Sequence, residues 1–226
     1  MNTKQDLRVR QVTVIFVLLF MILSLVVTTK VIMMVSPGIT VEAKASTINK
    51  YFFGVMTPFL LLILFKTPMT CRWEALKAGD QKAFRREMLQ AAGISAVLIA
   101  IMIAARLIMN ARNPEIAARP FFGLYLNVHG RWFYPLSVVV QELMIKALMQ
   151  ENIRCLVPNE NRHFTAILTG LFFAVLHMNY PLYYLLFAGV LCFGTAYMYE
   201  RDGNIWGAVL IHFVVGFLPR AFGLKF

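Results

Sequence analysis

An all-α, polytopic membrane bundle of about seven transmembrane helices is the fold class this sequence predicts, and three observations carry the prediction. Of the 226 residues, 59% are hydrophobic and only 15% are charged, where a soluble domain carries about a quarter charged residues. The mean hydropathy is +0.67. The charges cluster between long apolar runs, and several of those runs approach the roughly 20 residues that a spanning helix requires.

Taken in order, Lys4, Arg8 and Arg10 precede an apolar run at 12–34. That run is too long for the apolar core of a signal peptide, and Ala43-Lys44-Ala45 lies too far downstream to serve as its cleavage site, so a retained anchor helix is expected. A second span is expected at 49–65. Residues 66–89 form a basic cytoplasmic loop with Trp73 and Phe84. They read equally as an amphipathic helix on the inner leaflet or as a solvated loop. The third span, 90–109, carries Arg106 near its outer end, where the side chain is expected to snorkel. Pro114, Pro120 and Gly130 mark 110–131 as an outer loop. It separates a three-helix part, 1–120, from a four-helix part, 121–226, with spans at 132–150, 163–179, 181–199 and 204–219.

The formal net charge is +11. The basic residues flank apolar spans, and no basic stretch interleaved with aromatics sits on a soluble module, which argues against nucleic acid and for a lipid partner. With the N-terminus inside, the inner segments hold twelve Lys and Arg residues and the outer segments seven. That bias predicts a cytoplasmic N-terminus. Cys71, Cys155 and Cys192 form no CxxC pair and are read as reduced thiols.

Ionisable groups inside a membrane are costly and ask for a partner or a role. Among the acids, only Glu142 falls within a predicted span, and among the histidines, His177 and His212 do. Glu142 and Lys146 are four apart, as are Phe173 and His177, so each pair shares a helix face. His212 precedes Gly216 by one turn, and Gly216 is small enough to admit a neighbouring helix or a peptide backbone. A carboxylate and imidazoles in one cavity suit hydrolysis. HExxH is absent, and neither a metal nor another cofactor is expected.

These residues fall in three motifs: Gln141-Glu142-Leu143-Met144-Ile145-Lys146, Phe173-Ala174-Val175-Leu176-His177, and His212-Phe213-Val214-Val215-Gly216. In order, spacing and placement they resemble the E-E-x-x-x-R, F-x-x-x-H and H-x-x-x-N/D motifs of the CPBP (CAAX protease and bacteriocin-processing, or Abi) family of intramembrane endopeptidases. Tyr199–Gly207 is similar to the turn before that family's third motif. The resemblance covers about 130–217, within a CPBP-like core.

The resemblance implies a water site at Gln141 and His177 and an oxyanion site at His212 and Gly216. Two of these positions depart from the family. Gln141 is a neutral amide and no base, and Gly216 has no side-chain donor. Lys146 keeps the charge of the family's arginine without its planar fork. The expectation is a degenerate protease that binds a membrane protein or peptide partner, in a bacteriocin-immunity or sensor-kinase type of role, in a bacterial plasma membrane. The alternatives are an active endopeptidase cutting a prenylated or leader-type peptide, and a small transporter. Against the transporter, neither an inverted repeat nor paired broken helices is visible.

Overall fold

The computed structural model describes residues 3–123 and 133–224, and the described residues contain helices and no strands. The helices are α1 (Thr3–Val35), α2 (Val41–Tyr51), α3 (Thr57–Lys66), α4 (Gln81–Arg112), the one-turn α5 (Pro114–Ala117), α6 (Tyr134–Glu142), the short α7 (Glu151–Ile153), α8 (Arg162–Leu176), α9 (Leu182–Asp202) and α10 (Trp206–Ala221). A π-helical turn, Phe52–Met56, joins α2 to α3, and a longer one, Leu143–Gln150, joins α6 to α7. Gln5–Val35, Gln81–Arg112 and Leu182–Asp202 are long and apolar enough to cross a membrane, and Gly54–Lys66, Arg162–Leu176 and Trp206–Ala221 are shorter apolar helices. The fold is therefore an all-α membrane bundle.

The surface of α1 shows why lipid is the solvent. Val14, Val17, Met21 and Leu25 are buried at helical spacing, yet Val12, Phe16, Leu19 and Leu23 on the other side are more than half exposed and equally apolar. A helix that is apolar on every face finds a matching environment only in a protein core or a bilayer.

The chain forms two compact units, each assembled from separated segments. Unit 1 comprises residues 1–72 and 145–200. There α1 packs on α2, α7 and α8. Asn152, fully buried, donates to the carbonyls of Thr70 and Leu148 at 2.6 Å and accepts from Arg10 Nε at 3.2 Å. The N-terminal helices are thus stitched to the later segment by backbone and amide hydrogen bonds. Helices α8 and α9 approach so closely that a β-carbon at Gly170 would lie 2.9 Å from the Gly189 carbonyl, the small-residue contact that lets membrane helices meet.

Unit 2 comprises residues 73–144 and 201–226. Its centre is the packing of α10 on α4 and α6. The Glu87 carboxylate, buried on α4, accepts the Gly207 N–H at 3.1 Å and so caps the start of α10. Trp206 Nε1 donates to the Leu76 carbonyl at 3.0 Å, and Ile205 N to the Ala75 carbonyl at 3.1 Å.

Two expectations are corrected here. The segment 66–89 is neither one amphipathic helix nor a plain loop. A 3-10 turn, Trp73–Leu76, is followed by Asp80, whose carboxylate accepts the N–H groups of Lys82 and Ala83 and starts α4 well before residue 90. Arg106 does not snorkel. It is fully buried and donates to the carbonyls of Ile116, Arg119 and Pro120 at 2.9, 3.0 and 3.2 Å, with Gly223 O at 3.5 Å. Four carbonyls replace the water that snorkelling would have found.

Candidate functional site

Unit 2 brings together four of the residues singled out by sequence or by structure. α6 starts at Tyr134 with Pro135 in its first turn, where the missing N–H costs nothing, and ends at Glu142. α10 runs in the opposite direction against it: Glu142, at the end of α6, meets His212, and Tyr134, at its start, meets Gly216 one turn further along α10. His212 Nδ1–H donates to Glu142 Oε1 at 2.6 Å, and the two side chains are 14% and 5% exposed. A hydrogen bond this short and this buried fixes the imidazole's orientation. Gln141, half-buried, neighbours Glu142 on α6.

Gly216 is filled in space by another residue. A β-carbon there would fall on the Tyr134 hydroxyl and lie 2.7 Å from its Cζ. The Tyr134 ring is held by Phe213 and Phe217, with centroids 6.2 and 6.3 Å away. Glycine at 216 is therefore what gives the phenol its place.

Unit 1 holds the other two predicted site residues. His177 caps the C-terminus of α8, and its Nδ1 lies 2.8 Å from the Phe173 carbonyl. Its ring packs on Phe173 at 4.4 Å, as the four-residue spacing predicts, and also beside Tyr180 and Tyr184 at 5.9 Å. Lys146, fully buried, donates to the Cys192 carbonyl and thiol, each at 3.2 Å. It lies in the π-helical segment Leu143–Gln150, where the helix is wider than the α-helix on which a four-residue stacking rule rests. Among the described residues no cluster of three His, Cys, Asp or Glu side chains is placed to hold a metal.

Two residues of unit 2 escaped the sequence reading. Tyr134 is an aromatic residue at a helix start with nothing in its neighbourhood to mark it. Glu87 falls within the basic loop by composition, although Asp80 ahead of it carries a helix-start signal.

In chemical terms unit 2 offers a carboxylate-oriented imidazole, a phenol hydroxyl one turn away, and a neutral amide at 141. The family model of type II CAAX prenyl endopeptidase Rce1-like proteins matches residues 129–218. No curated protein and no solved structure matches the chain. The match runs through all three motifs, so residues 129–218 are similar to the CPBP family of CAAX protease-like membrane proteins.

Proposed function

We propose that the protein is a degenerate CPBP-type membrane protease that holds a peptide or protein segment without cutting it efficiently. The observation that carries this reading is the pairing of Glu142 with His212. Gln141 stands where the resemblance puts the water-activating carboxylate, and an amide cannot take a proton. The neighbouring Glu142 is the obvious substitute, but its carboxylate is directed to His212 at 2.6 Å. Adjacent helical residues also point about 100° apart, so Glu142 does not reach the place that Gln141 faces. Regulation of a membrane partner, of the sensor-kinase or bacteriocin type, fits a site that binds and does not turn over.

The experiment is a peptidase assay on the full chain in lipid vesicles, with a farnesylated fluorogenic peptide as probe. The wild type should cut it slowly or not at all. Gln141→Glu should raise kcat at least about tenfold, a modest part of what a general base supplies. A wild type as fast as this variant would overturn the reading. Gly216→Asn is not a useful restoration, because the new side chain collides with Tyr134.

The same pair supports a second reading, an active endopeptidase. A carboxylate on Nδ1 is how an imidazole is oriented for general-base work at Nε2. On that reading the wild type cuts the farnesylated peptide, and Glu142→Gln and His212→Ala each abolish the cleavage.

A further inference from the structure

We propose that the outer side of the first turns of α4 is a docking surface for an anionic phospholipid. Lys82 and Arg85 hold the headgroup phosphate, and the acyl chains lie along the apolar face that follows. This surface lies within unit 2 and outside the residues matched by the family model, 129–218.

The face that α4 turns into the protein is marked by Glu87, Ala91, Ser95, Met102 and Arg106, all buried. At 100° per residue, Lys82, Arg85 and Leu89, spaced i, i+3 and i+7, fall together on the other side. Leu89, Val97 and Ile101, each more than half exposed, continue that side down the helix. In an all-α membrane bundle such a face meets acyl chains. Arg85 then stands about 6 Å, and Lys82 about 10 Å, above the first lipid-facing leucine, which is headgroup level.

The charges at this end of unit 2 are unevenly satisfied. Arg86 and Arg201 share the Asp202 carboxylate. Lys82 and Arg85 are exposed, and neither makes an ion pair among the described residues. The acids of α4 and its cap are engaged elsewhere: Asp80 accepts the N–H groups of Lys82 and Ala83, and Glu87 is buried against Gly207. Two outward cations above an apolar face are complementary to a phosphate that carries acyl chains.

Trp73 marks the same level. The turn that it opens is fixed to the start of α10, through Ala75 to Ile205 and Leu76 to Trp206, and Gly207 ties that start to Glu87 of α4. On this rigid turn the Trp73 side is 48% exposed, the setting of an indole at the boundary of bilayer and water.

The test is native mass spectrometry of the full chain with phosphatidylglycerol or phosphatidylcholine of identical acyl chains. The wild type should retain phosphatidylglycerol about tenfold more tightly, a modest part of what two cations near an anionic headgroup supply. Lys82→Gln together with Arg85→Gln should abolish the preference. Lys82→Arg together with Arg85→Lys should keep it, as should Arg112→Gln at the far end of α4. Inorganic phosphate, compared with chloride at equal ionic strength, should not displace the lipid. Four results would overturn the proposal: no preference in the wild type, a preference that survives the double Gln variant, its loss in the charge-keeping exchange or in Arg112→Gln, or displacement by inorganic phosphate, which would mark a site for the free anion.

Discussion

Arg106 loses four carbonyl partners at once when its side chain is cut back. Those carbonyls belong to Ile116, Arg119, Pro120 and Gly223, and they surround a guanidinium that is fully buried. A hydrogen bond to a charged group contributes about 1.5–3 kcal/mol, and several are lost together. Arg106→Ala should therefore destabilise the protein by roughly 3 kcal/mol or more. Arg106→Lys should recover only part, because an ammonium lacks the planar fork that reaches several acceptors. Thermal unfolding in detergent, compared across the three proteins, checks the order. At this scale the sequence was legible where charge and burial conflict. Glu142 and His212 stood out because ionisable groups in an apolar span ask for a partner, and they turned out to be each other's. Tyr134 was not legible, since its place depends on a glycine 82 positions away in the chain, a relation that no local pattern encodes. Arg106 was visible as a charge, but its carbonyl cage is built by a loop and a C-terminal turn whose path the sequence does not reveal.

Helices α8 and α9 show how small residues set the spacing between elements. Gly170 sits against the Gly189 carbonyl and the Phe193 β-carbon, at 2.9 and 3.1 Å from where its own β-carbon would be. Gly170→Val should push the helices apart and cost about 1–3 kcal/mol, the usual range for overpacking. Gly194→Ala on the same helix α9 should be nearly silent, because nothing lies within 4 Å of its added carbon. Parallel unfolding curves for the two variants separate packing from helix propensity. Apolar runs were enough to place α1, α4, α8, α9 and α10, since lipid exposure demands long hydrophobic segments. Their ends were less accessible. α4 begins at an Asp80 cap inside a polar stretch that reads as loop by composition. The change from α- to π-helix at Leu143 has no compositional signature, although it decides which side chains lie one above another between Glu142 and Lys146.

Across the whole molecule, the distribution of lysine and arginine among the loops predicts an orientation in the membrane. A cytoplasmic N-terminus would place residue 80 inside and residue 115 outside. Single cysteines introduced at those positions in a cysteine-free chain should react with a membrane-impermeant maleimide from the cytoplasmic and outer sides, respectively. The opposite pattern would refute the orientation. The native Cys155 should label poorly in the intact protein. It is buried, and burial pushes its thiol up against the opposing pull of Arg10, leaving little reactive thiolate. The resemblance to the CPBP family was legible over the C-terminal half because motifs are local. The grouping of residues 1–72 with 145–200 was not, since it rests on contacts such as Arg10 with Asn152 that join distant parts of the chain.

That interleaving has a consequence for how the protein is made. Synthesis proceeds from the N-terminus, so the order in which partners emerge is fixed by their numbers. Arg106 enters the membrane well before Gly223 exists, and Glu142 before His212. Each must spend that interval without a partner it will finally have. Unit 2 acquires residues 201–226 only after every segment of unit 1 has been made. A nascent chain halted after Glu200 holds every segment of unit 1 and lacks α10 altogether. The vulnerable period is therefore the interval before α10 is made, when a quality-control protease would find the charged groups of unit 2 still waiting for the helix that closes it.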